Sequence, residues 1–196
     1  MIKHVFLTGQ PGVGKTTLVQ KACEALVSSG ATVEGFYTEE VKAGGRRVGF
    51  DVVTLTGRGD TCPESGIFIL DMAGPSHGRQ EYTVGQYVVD LPSFENLVLP
   101  LFKNVGSGGA ARKVFIIDEI GKMELFSQSF IRAVRQTLDS SSCTILGTIP
   151  VLKHKPLALV EEVRGRSDVK VFTISKENRN SILQDVLSTV NECLKQ

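Results

Sequence analysis

The apolar residues of this chain fall into short runs that alternate with stretches at helical spacing. His4-Val5-Phe6-Leu7-Thr8 is a brief run of the kind that a strand buried on both faces requires. After it, Leu18, Ala22, Ala25 and Leu26 recur at helical spacing as far as Gly30, which suits a helix C-terminus. Residues 32–37 read as a second strand. Residues 38–41 and 48–55 flank Gly44-Gly45, which predicts a β-hairpin, and 49–55 is rich in β-branched residues. From 56 to 80 Gly, Pro and Ser break the pattern into a long loop, with room for a short strand at 67–70. Residues 85–90 read as another strand. Residues 93–103 read as a helix with Phe94, Leu97, Val98 and Leu101 on one face, and 104–111 as a flexible Gly/Ser connector.

The second half repeats the alternation. Val114-Phe115-Ile116-Ile117 is an uninterrupted apolar run, and a helix is expected over 128–138 with Phe130, Ile131, Val134 and Leu138 spaced for burial. Strands over 144–149 and 169–174 then alternate with helices over 157–164 and 178–194. Strands alternating with helices imply an α/β fold: a mostly parallel central sheet with helices on both faces, a three-layer sandwich carrying the hairpin as an addition. One domain over 1–196 is expected, and no internal repeat is visible.

Residues Gly9 to Thr17 read Gly-Gln-Pro-Gly-Val-Gly-Lys-Thr-Thr, and Gly9, Gly14, Lys15 and Thr16 fit the phosphate-loop pattern G-x-x-x-x-G-K-[ST]. Each position has a physical job. Backbone N–H groups of Gly9, Gln10, Pro11-Gly12, Val13 and Gly14 through Thr17 form the nest expected around phosphates, proline excepted for want of an N–H. Lys15 adds a full positive charge, Thr16 offers a hydroxyl to Mg²⁺, and the helix starting there aims its positive end at the anion. Strand, glycine loop and helix stand in the order the chemistry requires.

Asp118-Glu119 ends the apolar run of 114–117. Ligands of parallel α/β sheets bind at the carboxyl ends of strands, so Asp118 is expected beside the phosphate loop, holding Mg²⁺ through a water. Glu119 can polarise a water in line with the γ-phosphorus. At least one parallel strand is expected between the loop strand and this one. That order, with a Glu after the Asp, resembles the additional-strand (RecA/AAA-like) division of phosphate-loop NTPases. Thr148, at the end of the next strand, takes the position of that division's polar sensor, where its hydroxyl could contact the γ-phosphate or the attacking water.

Asp118-Glu119-Ile120-Gly121-Lys122-Met123-Glu124, Gly-Phe-Tyr-Thr-Glu-Glu at 35–40 and Lys-Glu-Asn-Arg-Asn at 176–180 sharpen the picture. With these stretches the chain resembles the THEP1-type nucleoside-triphosphatases over nearly its whole length. The resemblance implies slow, Mg²⁺-dependent hydrolysis of several nucleoside triphosphates to diphosphate and phosphate, with weak discrimination among bases. It carries the phosphate-loop roles to Lys15 and Thr16, the metal-side carboxylate to Asp118 and the water-activating one to Glu119. Lys122 lies in the family motif and could reach the γ-phosphate or pair with Glu124. A transition state with spread negative charge gains from an added cation. Arg46 or Arg47 at the hairpin tip, favoured for its mobile glycines, or Arg164 or Arg166 after the short helix, could supply it. Lys176, Asn178 and Arg179, after the last strand, are placed to touch the base, or Ser175 and Asn178 simply cap a helix.

Composition narrows this further. Hydrophobic residues make up 41% of 196 and the net charge is +1, which gives no ground for nucleic-acid or membrane-surface binding. No apolar run approaches a membrane span. Cys23, Cys62, Cys143 and Cys193 are widely spaced with no C-x-x-C, which argues against zinc and for reduced thiols in a cytoplasmic or nuclear setting. The start runs straight into the first strand, leaving no room for a targeting peptide, and nothing demands a partner, so a monomer is expected. A small-molecule kinase and a nucleotide-gated switch are the competing functions. A guanine-specific switch is disfavoured, because Lys176-Glu-Asn-Arg does not match Asn-Lys-x-Asp.

Overall fold

The computed structural model describes residues 1–56, 65–71, 82–84, 87–106, 112–151 and 155–196. The loop expected over 56–80, apart from Thr56 and 65–71, lies outside them, as do residues 85–86, most of the connector and Cys62. In chain order the elements are β1 (His4–Gly9), α1 (Lys15–Ser28), β2 (Thr32–Ala43), β3 (Arg46–Thr56), β4 (Ser65–Asp71), β5 (Tyr82–Val84), β6 (Tyr87–Val89), α2 (Leu91–Asn104), β7 (Lys113–Ile117), a 3₁₀ turn (Glu124–Phe126), α3 (Gln128–Asp139), β8 (Thr144–Pro150), α4 (Ala158–Gly165), β9 (Val169–Thr173) and α5 (Leu183–Cys193).

The strands form one sheet in the order β5-β6-β4-β3-β2-β7-β8-β1-β9. From β2 to β9 every pairing is parallel. Strand β8 separates β1 from β7, so the interposed parallel strand expected from the sequence is present. Beyond β2 the pairings are antiparallel. The expected hairpin is therefore the root of a wider antiparallel wing. Its first strand is continuous with the second parallel strand, since β2 runs unbroken from Thr32 to Ala43. Gly44 and Gly45, with φ of 59° and 77°, make the tight turn into β3.

Both faces of the parallel block are covered, which explains its unbroken apolar runs. Val5, Leu7, Val114 and Ile116 face one core, with Val19 and Leu26 of α1 and Val186 and Val190 of α5. Phe6, Phe115 and Ile117 face the other, with residues of α2, α3 and α4. There Phe94 and Phe130 meet edge to face at 5.4 Å, each about as close to Phe36 of β2 at 6.1 Å.

Local polar contacts adjust the element ends. Asp90 accepts the Ser93 N–H at 3.2 Å, so α2 begins two residues before its expected start. Ser127 accepts the Phe130 N–H at 3.0 Å and starts α3 where periodicity placed it. The last helix begins at Leu183 rather than Asn178. The Asn178 carboxamide takes the Ser175 N–H at 2.8 Å and donates to the Thr173 carbonyl at 2.9 Å, a local alternative that defers the regular helix.

At the opposite edge from the phosphate loop, His4 is fully buried. Its Nδ1 accepts the Ile145 N–H at 3.1 Å, so Nε2 carries the proton and donates to the Leu138 carbonyl at 3.0 Å. Burial pushes its pKa below the ordinary 6.5. As pH falls through 6.5 toward that lowered value, the unfolded chain binds a proton that the fold refuses. Unfolding free energy should then drop by up to about 1.4 kcal/mol per pH unit. Urea melts across this range should show the slope, and His4→Asn, which keeps an acceptor for Ile145, should remove it.

Candidate active site

The phosphate loop leaves the carboxyl end of β1 and enters α1 through Gly14, whose φ of 108° closes the turn in a conformation that a side chain would strain. No side chain caps α1 among the described residues, so its first N–H groups face the loop. Lys15 Nζ donates to the Gly9 carbonyl at 2.8 Å and stands 3.6 Å from Glu119 Oε2. The lysine is thus parked across the mouth of the loop between a backbone dipole and a carboxylate.

Asp118 and Glu119 follow β7 directly. Asp118 is only 2% exposed. Thr16 Oγ1 donates to its Oδ2 at 2.7 Å, and Thr148 Oγ1 donates to its Oδ1 at 2.5 Å. One carboxyl group therefore joins the start of α1 to the ends of β7 and β8. The backbone braces the same point: the Asp118 N–H donates to the Phe36 carbonyl at 3.2 Å and the Ile120 N–H to the Thr148 carbonyl at 3.0 Å. Burial pushes the Asp118 carboxyl above the usual range, against the pull of the two hydroxyls and Lys15. Burial also raises Glu119, opposed by Lys15 and reinforced by Asp118. Glu124 is pushed up to about 8 by burial and by the Glu119 charge.

Asp118 and Glu119, adjacent and both raised by burial, form an acidic pair whose charge a nearby cation would offset. Thr16 and Asp118 supply two hard oxygen donors side by side, the kind of partial set that Mg²⁺ takes before phosphate oxygens and water complete its shell. The donor set fits Mg²⁺ on that ground.

A cavity of about 900 Å³ opens over these groups. Gly9, Pro11, Gly12, Gly14, Lys15, Thr16 and Thr17 form its floor on the loop side. Gln10 is exposed, and Val13 is buried in the core with its N–H donated to Gln10 at 3.1 Å; neither lines the cavity. Lys122 lines it and makes no ion pair with Glu124 among the described residues. The Glu124 carboxyl is turned instead to the Gly121 N–H. Thr148 differs from the expectation. Its hydroxyl is fully buried behind Asp118 and outside the cavity wall, because the carboxyl group claims it.

The arginines divide by strand geometry. Neighbours on a strand point to opposite faces, and Arg47, not Arg46, lines the cavity. Arg47 is ion-paired to Glu40 and lies 5.2 Å over the Phe50 ring. Arg164 donates to Thr8 Oγ1 and to the Pro150 carbonyl, both at 2.9 Å, at the carboxyl ends of β1 and β8, and does not line the cavity. Arg166 is bound to Asp168 and Asp139 at 2.8 Å before β9, at the far edge of the sheet, which removes it as a source of charge for the site. Asn178 spends its carboxamide on its own turn and does not line the cavity, while Arg179 Nη1 reaches the Val13 carbonyl at 3.4 Å and so lies beside the loop.

The family model described as NTPase matches residues 4–187. The chain is 59% identical to human cancer-related nucleoside-triphosphatase over 196 residues, all of both chains. It is 36% identical to the nucleoside-triphosphatase THEP1 of Thermotoga maritima over 187 residues, 95% of this chain and 94% of that one. The chain belongs to the THEP1-type NTPase family. Its fold matches the family's solved structures. The crystal structure of THEP1 from Aquifex aeolicus superposes with a TM-score of 0.77 over 95% of this chain and 98% of that one, at 36% identity. The solution structure of a human cancer-related nucleoside triphosphatase gives 0.81 over 97% and 98%, at 59% identity. The phosphate-loop NTPase fold expected from the sequence is the one observed.

Sequence reasoning missed the cavity's far wall. Thr38 and Glu40 sit in the family stretch 35–40, but Phe50, Lys155 and Leu157 come to the cavity only through tertiary contact. If Thr148 tethers Asp118, Thr148→Val strands a buried carboxyl oxygen. That should destabilise the fold by about 1–3 kcal/mol in denaturant titrations, and Thr148→Ser should restore most of it.

Proposed function

We propose that this NTPase family member hydrolyses nucleoside 5′-triphosphates to diphosphate and phosphate with Mg²⁺, slowly and with little choice of base. The observation that carries the reading is the juxtaposition of the phosphate-loop Thr16 with Asp118 at 2.7 Å and of Lys15 with Glu119 at 3.6 Å. In this reading Gly9 to Thr17 cradle the phosphates, and Lys15 leaves the Gly9 carbonyl for the β- and γ-phosphate oxygens. Thr16 and Asp118 would hold Mg²⁺, which would offset negative charge on the phosphate oxygens. Glu119, freed from Lys15, orients the attacking water and takes its proton. Thr148 keeps Asp118 in place, and Lys122 meets the departing phosphate.

Slow turnover has a physical basis. Arg47, the arginine among the cavity-lining residues, is held by Glu40 and must leave it to reach the γ-phosphate. Low base selectivity has one too. Asn178 is committed to its own turn, so the segment after β9 offers packing beside Arg179 more than hydrogen-bond readout. We read residues 1–196 as one domain acting as a monomer on free nucleotides, without nucleic acid or membrane, in the cytoplasm or nucleus. No described helix is long and apolar enough to cross a membrane.

A second reading, phosphoryl transfer to an acceptor hydroxyl, draws on one observation. The cavity continues past Glu119 into walls made by Phe50, Met123, Leu157 and Val160, which suit a small organic acceptor. One assay separates the two: phosphate release from each triphosphate with Mg²⁺, with and without added nucleosides. Steady release without acceptor supports the hydrolase; label appearing only on the acceptor supports transfer.

Two substitutions test the roles. Glu119→Gln should lower kcat by at least about 10²-fold while a non-hydrolysable triphosphate still binds in calorimetry. Lys15→Ala should weaken that binding itself, and chelation of Mg²⁺ should stop release in the unaltered protein.

A further inference from the structure

Glu124 is the buried carboxyl group that the reaction as described does not use. It opens the 3₁₀ turn after β7 and is 6% exposed. Its Oε2 accepts the Gly121 N–H at 3.2 Å, and the Leu125 N–H donates back to the Gly121 carbonyl at 3.1 Å. Residues 121–125 are thereby closed into a tight turn from both sides. Gly121 is the point where two carboxyl groups converge. A Cβ built there would lie 2.6 Å from Glu119 Oε1, close enough to push that carboxyl aside, and 3.0 Å from Glu124 Oε2, a tight contact. The Glu119 side chain thus occupies the space that a side chain at 121 would take, and its Oε2 stands 3.6 Å from Lys15 Nζ.

We propose that Glu124 is a positioning residue for Glu119, holding through the Gly121 N–H the turn on which the Glu119 carboxyl rests. The inference depends on Glu119 activating the water. Its logic is mechanical and electrostatic. A general base displaced by about 1 Å loses on the order of 10² in rate, and the 121–125 turn is what Glu119 rests on from behind. A hydrophobic residue at 124 would leave the Gly121 N–H buried without its acceptor. A permanently ionised one would set a third negative charge beside Asp118 and Glu119. Glu124 avoids both: raised to about 8, it is uncharged at neutral pH and still accepts the hydrogen bond. The charges around it are Asp118 and Glu119 from the end of β7, Lys15 from α1 and Lys122 from its own turn. Glu40 and Arg47 from the hairpin and Lys155 before α4 line the same cavity.

The test compares Glu124→Gln, Glu124→Ala and Gly121→Ala with the unaltered protein in steady-state Mg-ATP hydrolysis from pH 6 to 9.5. Glu119→Gln is run alongside, and folding is checked by circular dichroism. Glutamine is a neutral acceptor of the same shape, so Glu124→Gln should keep kcat at pH 7 within about twofold. Its KM should also change less between pH 6 and 9.5 than that of the unaltered protein, in which the Glu124 carboxyl can titrate. Glu124→Ala and Gly121→Ala, the second leaving every charge in place, should each lower kcat at least about tenfold with KM within about threefold. Wild-type kcat in folded Glu124→Ala or Gly121→Ala overturns the proposal, as does a loss in Glu124→Gln equal to that in Glu124→Ala. If Glu124→Ala does not fold, Gly121→Ala and Glu124→Gln still decide. Should Glu119→Gln hydrolyse at the normal rate, the water-activating role fails by itself; an inactive Glu119→Gln beside a fully active Glu124→Ala removes only the positioning role.

Discussion

The double hydrogen bond into Asp118 is the constraint on which the rest of the structure turns. A buried carboxyl group with no formal ion pair is costly, and hydrogen bonds from donors aimed at each oxygen are what make it tolerable. Here one donor belongs to the helix that follows the phosphate loop and the other to β8. The bond from Thr16 spans 102 residues of sequence. Strand order makes it possible: β8 lies between β1 and β7, so the loop and the carboxyl doublet stand one strand apart at the same edge of the sheet. The register of these parallel strands therefore also sets the geometry of the site.

Much of this was legible in the sequence, for a physical reason. Strands buried on both faces need unbroken apolar runs, and residues 4–8, 114–117 and 144–149 carry them. The chemistry follows at their carboxyl ends because a parallel sheet presents all those ends together. Lys15, Thr16, Asp118 and Glu119 could be named for that reason. Thr148 could be placed at a strand end but not oriented. Whether a strand-end hydroxyl faces the ligand or the carboxyl group behind it depends on side-chain direction, which periodicity does not encode.

What the sequence left open depends on long-range partners. Arg46 and Arg47 are equivalent as text, and only the pleat of β3 decides that Arg47 meets the cavity and Glu40. Arg166 looked as suitable as Arg164 until Asp168, two residues on, and Asp139, from the end of α3, claimed it. Asn178 carried both a base-contact and a capping reading, and its bonds to Ser175 and Thr173 favour the local one. In each case competition for hydrogen bonds or ion pairs, with partners near or far along the chain, fixes where the side chain sits.

The distribution of charge gives these details a common sense. At the edge away from the phosphate loop, Arg166 is paired twice and His4 is buried between two backbone partners. At the phosphate-loop edge the carboxyl groups are hydrogen-bonded but short of cations, with Lys15 shared between Gly9 and Glu119 and all three acids raised. On the function proposed above, this edge would be completed by what it binds: a dication would answer the carboxyl groups, and a polyphosphate would answer Lys15 and the helix N-terminus. Each would then offset the other's charge, so the two together would suit this edge better than either alone.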